Sequence, residues 1–523
     1  MLLERKRAWV PGLSWPDWIA LVLSLLAVIV AFVIANRVYE HIAHLEDEIA
    51  YLWQAQAIAE GHLTLPTPGH PRSFLVPFVV DYEDHRFGKY PLGWPILLGI
   101  GVRLGFAYLV NPLLAGLGVW LTYRLGKKVF GQIVGLLAAG LTLISPFFLI
   151  NSGSLLSHPF GLVLSAAFAL SWLDAFAYKT AFPRILPTLV AGLSLGVLAL
   201  TRPWTAVAVA VPFVFHGIYL LIKGDWETRR LLFAVGLISV FLGALNLLWQ
   251  YAVTGDFLLN PYVLWWDYDK IGFGPGYGVT QDGHSLRLAW INTRHSLRAG
   301  YSDLFGWGNL SWIFLPFGLT AVLLKRGWRA ALLGAVFASL LLFYMAYWVG
   351  SWLYGPRYYY EGLYSLTLFS AAGIAFLAGW PIQPGEAWKF YSGWTKVRPL
   401  GVTAVLLILS FGNLLFYAPI RVGGMHGLYT MERADLEPFL TQEAQDLSPA
   451  LVIVHPDRWM DYGVLLTLQD PFLDTPFIFA YSRGAKADAE LAADFPARNI
   501  FHYYPDEPYT FYIGARPETS ASQ

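Results

Sequence analysis

Three consecutive acidic residues, Glu46, Asp47 and Glu48, are the first candidates for chemistry. A carboxylate takes up or orients the proton of an attacking hydroxyl, which makes this group a candidate for the general base of a reaction. Apolar residues recur at helical spacing after the acids, and Gly61 is a typical stop, so the pattern predicts a short amphipathic helix. Because acidic side chains also stabilise the start of a helix, simple capping is the alternative role.

Three basic residues, Lys89, Arg202 and Arg357, each lie beside the end of an apolar segment. Long basic side chains at such positions can anchor a protein at a membrane surface. Three basic side chains near a carboxylate cluster can also neutralise the charge of a lipid phosphate, and we favour this second role. The other candidates for substrate binding are Tyr51 on the acidic helix, His158 at an apparent turn, and Tyr358. For the turn at His158, helix capping is the alternative role.

The composition identifies a membrane protein. Hydrophobic residues make up 56% of the chain, charged residues only 13%, and the mean hydropathy is +0.50. A soluble domain has about 25% charged residues. The formal net charge is zero and there is no basic stripe, which argues against a nucleic-acid partner. The absence of cysteine excludes disulfides, thiolate metal sites and cysteine nucleophiles.

Apolar segments predict about eleven membrane spans, each close to the roughly 20 residues that cross a bilayer. The predicted spans are residues 17–35, 108–126, 131–150, 158–178, 186–203, 205–222, 231–253, 309–325, 329–349, 362–380 and 399–418. Segment 92–107 is apolar but interrupted by Pro95 and several glycines. We expect a juxtamembrane helix there, with a half-span as the alternative.

The basic residues predict the orientation. If the N-terminus is cytoplasmic, every short cytoplasmic loop is rich in lysine and arginine and the short opposite loops are poor in both, as the positive-inside rule requires. The loop residues are Arg124, Lys127, Lys128, Lys179, Arg184, Lys223, Arg229, Arg230, Lys325, Arg326, Arg329, Lys389, Lys396 and Arg398. We therefore expect a multi-pass protein of the plasma or inner membrane, with a cytoplasmic N-terminus, an extracytoplasmic C-terminus and the acidic cluster outside.

The predicted domains are a transmembrane domain over 1–419, with outer loops at 36–107 and 254–308, and an extracytoplasmic α/β domain over 420–523. In the second loop, segment 272–278 is rich in glycine but has no preceding strand and no following Lys-Ser/Thr, so we interpret it as a flexible loop rather than a nucleotide site. A surface helix is expected at 285–304. In the tail, strands are predicted at 450–454, 477–481, 499–504 and 509–513, with helical segments near 457–468 and 485–494.

Histidines and acids of the first outer loop raise the question of a metal. Their spacing matches no specific ligand signature, so we assign no metal ligand and no cofactor, and a divalent cation stays an open alternative. The residues concerned are His41, His44, His70, His85, Glu46, Asp47 and Asp84.

An ordered set of short motifs resembles a known family. An Asp47-Glu48 pair follows the first span, Phe87-Gly-Lys-Tyr-Pro91 precedes the return to the membrane, and Thr-Arg-Pro and Pro-Arg-Tyr elements surround Arg202 and Arg357. In this order they resemble bacterial GT-C fold glycosyltransferases, the group that includes protein O-mannosyltransferases and the lipid A aminoarabinose transferase. The resemblance covers roughly residues 15–380.

This resemblance implies an inverting glycosyltransferase with a polyprenyl-phosphate-linked sugar donor. The acceptor would be a lipid, glycan or protein at the outer face of the membrane. Asp47 would be the general base, Glu48 would orient it or bind the acceptor, and Lys89 and Arg357 would neutralise the leaving phosphate. Since Glu46 precedes the pair, Glu46 and Glu48 are alternative bases.

The sequence also departs from its relatives and admits other functions. Phe-Gly-Lys replaces the Phe-Glu-Lys associated with the lipid A enzyme, so neither the same acceptor nor a metal held by that glutamate is implied. A polymerase or ligase that uses a lipid-linked oligosaccharide shares the leaving-group chemistry and is the main alternative. A lipid or solute transporter ranks lower, because mid-span charges are scarce and no inverted repeat is visible. A scaffold without activity would not explain the ordered motifs.

Overall fold

The computed structural model describes residues 13–178, 183–325, 327–386 and 393–517. Most of these residues are helical, because a helix satisfies its backbone hydrogen bonds internally where water is absent. The α-helices are α1 (Trp15–Arg37), α2 (Glu46–Ala59), α3 (Gly93–Arg103), α4 (Val110–Val129), α5 (Gln132–Leu143), α6 (Pro146–Gly153), α7 (His158–Trp172), α8 (Ile185–Thr201), α9 (Pro203–Lys223), α10 (Trp226–Thr254), α11 (Tyr262–Trp265), α12 (Leu286–Ala299), α13 (Leu315–Leu324), α14 (Trp328–Tyr344), α15 (Leu363–Ala378), α16 (Val397–Gly412), α17 (Ala418–Gly423), α18 (Gln442–Gln445), α19 (Trp459–Gly463) and α20 (Ala485–Ala493). The strands are β1 (Leu65–Pro66), β2 (Val79–Tyr82), β3 (His85–Gly88), β4 (Ala450–Val454), β5 (Phe477–Tyr481), β6 (Asn499–Tyr503) and β7 (Phe511–Tyr512).

Several helices have the length and composition of membrane spans. Among the described residues six such helices are present, or seven if the pair α5 and α6, bent by 59°, counts as one span. Shorter apolar helices, including α8 and α14, lie at other predicted positions. The structure is thus a helical membrane-protein fold, while the number of about eleven spans stays a prediction.

Helix α15 forms the centre of the bundle and packs against α5, α13 and α14. Nearly all its side chains are buried. Gly373 faces α13 and Gly318 faces α15, and a Cβ on either glycine would lie 2.0 Å or less from a backbone oxygen of the other helix. Small residues therefore let these two backbones approach closely, as is typical of helices packed in membranes.

Two of the predicted loop lysines, Lys127 and Lys128, lie at one end of the bundle. Lys127 Nζ lies 2.5 Å from Asp17 Oδ1, and Lys128 pairs with Asp174. Asp17 begins α1 and Asp174 follows α7, so this end is opposite to the end where α1 leads into α2 and α7 begins. The separation of the two ends agrees with the predicted topology; which end is cytoplasmic stays a prediction. Segment 1–12, Lys179, Arg326 and Lys389 lie outside the described residues.

The first outer loop contains α2, a small antiparallel sheet in the order β1-β3-β2, and α3. Helix α3 occupies the segment expected to be juxtamembrane. The sheet was not predicted. Its β2–β3 turn places Glu83 and Asp84 at positive φ, 47° and 63°, where the usual hairpin signal is Asn-Gly or Asp-Gly.

The second outer loop contains α11 and α12. Helix α12 confirms the expected surface helix, and the Ser285 side chain caps it by accepting a hydrogen bond from the Leu288 N–H. The glycine-rich segment lies beside the end of α14: the Gly272 N–H donates to the Ala346 carbonyl over 2.8 Å. This loop therefore borders the same region as the chain that follows α14.

The tail forms a four-stranded sheet in the order β5-β4-β6-β7, in which β4, β5 and β6 are parallel and β7 is antiparallel. The predicted strand positions are confirmed, although β7 is shorter than expected. The sheet packs on the first outer loop: Phe74 contacts Leu451 and Ile478, and the Tyr481 N–H donates to the Ser73 carbonyl over 2.7 Å. The tail thus shares its core with loop one; a domain boundary at residue 420 stays a prediction.

Candidate active site

A cavity of about 980 Å³ opens where the outer loops meet the helix ends. It is bounded by the start of α2, the segment after β3, the junction of α8 and α9, the second outer loop and the segment before α15. Seven of the eight candidate residues line it: Asp47, Tyr51, Lys89, His158, Arg202, Arg357 and Tyr358. Glu48 does not.

Asp47 carries the carboxylate that faces the cavity. Its Oδ2 lies 2.9 Å from Arg357 Nη2, and its Oδ1 accepts a hydrogen bond from the Tyr90 hydroxyl. Burial acts to raise the pKa of Asp47, but the charge of Arg357, the Tyr90 hydroxyl and the Lys89 ammonium outweigh burial and hold the pKa below its ordinary value of 3.8. Asp47 is therefore ionised and partly exposed, with 22% of its side chain accessible.

Glu48 points away from the cavity and is 1% exposed. Its Oε1 accepts the Leu155 N–H over 2.7 Å, and its Oε2 accepts the N–H groups of His44 and Leu45. The Tyr354 hydroxyl also donates to Oε2. Burial raises the pKa of Glu48, while these N–H groups oppose the rise. Glu48 thus joins the start of α2 to the segment between α6 and α7.

Lys89 lies in an aromatic enclosure and has a partner that the sequence did not identify. Its Nζ lies 3.1 Å from Asp269 Oδ2, and both side chains are 3% exposed or less. Asp269 also accepts hydrogen bonds from the Tyr347 hydroxyl and the Trp348 indole. Burial lowers the pKa of Lys89, against the charges of Asp269 and Asp47. Rings with centroids within 5.0 Å of Nζ belong to Phe78, Tyr262 and Trp266.

Gly88 lets the hairpin that carries Lys89 lie against α2. A Cβ at this position would come within 2.6 Å of Gln54 Oε1. The Gln54 amide in turn donates to the Tyr90 carbonyl over 2.9 Å. This contact explains physically why glycine precedes Lys89, since a larger side chain would displace Gln54.

Arg202 belongs to a second charged group, which includes His158 and Glu361. Its Nε lies 3.1 Å from Glu361 Oε1, and its Nη atoms donate to the hydroxyls of Ser157 and Tyr344. His158 Nδ1 lies 3.2 Å from the same Glu361 oxygen. Glu361 is fully buried. A buried carboxylate costs free energy unless it is paired, so Arg202 and His158 are held in place by Glu361.

The remaining candidates are aromatic. The Tyr51 hydroxyl lies 3.3 Å from Ser157 Oγ, and the Tyr358 ring stacks on Tyr344 with centroids 5.0 Å apart. Beside Tyr358, the Nη1 of Arg357 is buried and has no hydrogen-bond partner among the described residues. A buried guanidinium N–H without an acceptor is costly, and it marks a place for an anionic ligand.

Three residues of the site were missed as candidates. Tyr90 lies inside the Phe87–Pro91 motif, directly after Lys89, and Glu361 follows the Pro-Arg-Tyr element by three residues. Asp269 follows a cluster of aromatic residues in the second outer loop, 180 residues after Lys89. The spacing of neighbouring residues cannot predict an ion pair between two residues so far apart in the chain.

The histidines of the first outer loop do not form a metal centre within the described ranges. Both ring nitrogens of His44 lie within hydrogen-bond distance of backbone carbonyls, at Ile42 and Met431. His70 pairs with Asp494 of the tail over 3.1 Å. These histidines hold the loop in position.

No family model and no curated protein matches the chain, but solved structures do. The fold is similar to ArnT from Cupriavidus metallidurans bound to undecaprenyl phosphate, with a TM-score of 0.58, 14% identity, and coverage of 92% of this chain and 88% of that chain. It is also similar to the archaeal oligosaccharyltransferase AglB from Archaeoglobus fulgidus in complex with an inhibitory peptide and a dolichol-phosphate. That match has a TM-score of 0.54, 12% identity, and coverage of 94% and 70%. The GT-C fold expected from the motif order is confirmed; identities this low show the fold alone.

The contacts of Glu48 predict a structural phenotype. Glu48→Ala leaves four donors without their acceptor and should reduce the free energy of unfolding by about 3 kcal/mol or more. Asp47→Asn keeps the shape of the side chain but only one of its two accepting oxygens, and should cost less than Glu48→Ala, about 1–2 kcal/mol. Thermal unfolding of the detergent-purified variants measures both. Equal unfolding temperatures for Glu48→Ala and wild type would contradict the account of Glu48.

Proposed function

We propose that this protein is an inverting glycosyltransferase that moves a sugar from a polyprenyl-phosphate donor to an acceptor at the outer face of the membrane. The observation that carries the proposal is the pairing of one ionised, accessible carboxylate with a guanidinium that has a free buried N–H, both facing one large cavity. The bound lipid phosphates in the structures of ArnT and AglB, which share this fold, support the donor class.

The cations of the cavity suit the leaving group. When the bond between the anomeric carbon and the phosphate oxygen breaks, negative charge grows on the phosphate, which needs a positive partner rather than an acid. Arg357 offers its free Nη1, and Lys89 offers an ammonium close enough to affect Asp47. Asp269 holds Lys89 in position, so the Lys89 ammonium is already in place before the donor binds.

Asp47 is the group that acts on the acceptor. The acceptor hydroxyl attacks the anomeric carbon, its proton passes to the Asp47 carboxylate, and the sugar leaves the phosphate in one displacement that inverts the anomeric centre. The charge of Arg357 depresses the basicity of Asp47. A donor phosphate that engages Arg357 would offset this charge and raise the pKa of Asp47, so that the base becomes stronger only when the donor is bound.

The other residues have supporting roles in this proposal. Arg202, His158, Tyr51 and Tyr358 line the cavity and bind donor or acceptor, and Glu48 positions the start of α2. In this proposal the cavity opens outside the plasma or inner membrane, because Lys127 and Lys128 lie at the opposite end of the bundle and the positive-inside rule favours a cytoplasmic position for them.

Donor turnover tests the proposal. Purified protein in nanodiscs is given a panel of polyprenyl-phosphate sugars, and release of polyprenyl phosphate is followed. Wild type should release it, and Asp47→Asn should be slower by about 10²–10⁴-fold. Asp267→Asn is the matched control, because Asp267 is an exposed aspartate of the second outer loop that does not line the cavity.

Two outcomes of this assay would contradict the proposal. Full activity in a folded Asp47→Asn protein would exclude Asp47 as the base, and the parallel variant Glu46→Gln would then test the neighbouring acid. No release from any of these donors, together with release of polyprenyl pyrophosphate when a pyrophosphate-linked oligosaccharide is supplied instead, would identify a polymerase or ligase.

The pH dependence of kcat/KM separates the three acids, because it reports the free enzyme. The pKa of Asp47 is held below 3.8, so a base at Asp47 stays ionised and gives no acid limb above about pH 4. Partial burial and the charge of Asp47 raise the pKa of Glu46 above 4.5, and burial raises that of Glu48 above 4.5. An acid limb above about pH 4.5 that Glu46→Gln abolishes would therefore assign the base to Glu46.

A further inference from the structure

A second group of chemically active side chains lies in the tail, outside the cavity. His455 directly follows β4, His502 lies in β6, and Asp488 lies in α20, the helix that connects β5 to β6. Strands β4 and β6 are parallel neighbours with Ile453 opposite His502, so both histidines lie at the carboxyl end of the parallel strands. In open α/β sheets this edge is where ligands bind.

The ligand atoms of the three side chains converge. One nitrogen of each histidine and one oxygen of Asp488 all lie within 4.8 Å of one another. His455 Nε2 and His502 Nδ1 are 2.8 Å apart and share a hydrogen bond. Two imidazoles and one carboxylate are ligands that Zn²⁺ and similar first-row divalent metals prefer.

Neighbouring groups hold these side chains in orientation. The Asp488 carboxylate is buried and accepts hydrogen bonds from the Ser482 hydroxyl, over 2.6 Å, and from the Arg483 N–H, over 2.9 Å. The ring of His455 stacks on Tyr504 with centroids 4.4 Å apart and planes within 9°. Such outer contacts are typical of metal sites, where they fix the direction of each ligand.

We propose that His455, Asp488 and His502 bind a divalent transition metal such as Zn²⁺, independently of the sugar-transfer site. The metal replaces the proton that the two imidazoles share, and the nitrogens separate from 2.8 Å to the distance of about 3.3 Å that two Zn–N bonds of about 2.05 Å require in a tetrahedron. Water completes the coordination, since the described chain supplies three ligands. The bound metal joins β4, β6 and α20.

Zinc binding to the full-length, tag-free protein in detergent tests this proposal. After treatment with a chelator, Zn²⁺ is titrated by calorimetry and the unfolding temperature is measured with and without the metal. Wild type should bind one equivalent at this site and unfold at a higher temperature with Zn²⁺. His502→Gln and Asp488→Asn keep side chains of similar shape and should each bind this equivalent at least about 100-fold more weakly, because each loses a direct ligand.

Two controls separate this site from others. His426→Gln changes a histidine of the tail that is half exposed and lies outside the group, and should bind as wild type does. Asp47→Asn should also bind one equivalent of Zn²⁺ at the tail site. This result would exclude the sugar-transfer cavity as the place where that Zn²⁺ binds. Wild type that binds no Zn²⁺ would overturn the proposal. So would His502→Gln and Asp488→Asn proteins that bind with the affinity of wild type.

Discussion

The ion pair between Asp47 and Arg357 is the interaction on which the organisation of the cavity depends. Asp47 lies at the start of α2, just after the first span, and Arg357 lies just before α15, more than 300 residues later. A charge at the edge of a membrane is costly unless it is paired or hydrated. Pairing the two residues in the cavity lets the chain hold both charges there and keeps the carboxylate partly accessible.

The cost of an unpaired charge also explains the ion pairs in the rest of the site. Lys89 pairs with Asp269, and Arg202 and His158 share Glu361, so these basic side chains also have carboxylate partners. Two buried atoms of these charged groups have no hydrogen-bond partner among the described residues, Nη1 of Arg357 and Oε2 of Glu361, and of the two only Nη1 can donate to an anion. The proposed function requires a site that can accept the added negative charge of a phosphate, and this N–H group is a donor that could bind it.

Much of the fold and site could be predicted from the sequence, because the physical signals are local. Apolar segments determine helices, and seven candidate residues converge because each lies at a helix end or loop on one side of the bundle. The central tail strands, Ala450–Val454 and Phe477–Tyr481, are short continuous apolar runs, which is typical of the buried strands of a parallel sheet. In contrast, Asp269 is joined to Lys89 only through tertiary structure, and the β2–β3 hairpin has Glu83 and Asp84 where a recognisable turn would have glycine.

The role of Glu48 shows the limit of such reasoning most clearly. Asp47 and Glu48 are adjacent acids, and the sequence treats them alike. Successive residues of a helix point about 100° apart, so one carboxylate faces the cavity while the other turns to the Leu155 N–H inside the protein. The packing of the tail on Phe74 is likewise a long-range contact that no local pattern contains.

Binding of a polyprenyl phosphate to the purified protein tests the central claim most directly. The free N–H of Arg357 predicts that wild type binds the lipid and that Arg357→Gln binds it at least about 10-fold more weakly, the equivalent of one charged hydrogen bond. Arg103→Gln is the matched control, since Arg103 is an exposed arginine at the end of α3 paired with Glu60. Equal affinity of wild type and a folded Arg357→Gln protein would contradict the claim that this cavity is a phosphate site.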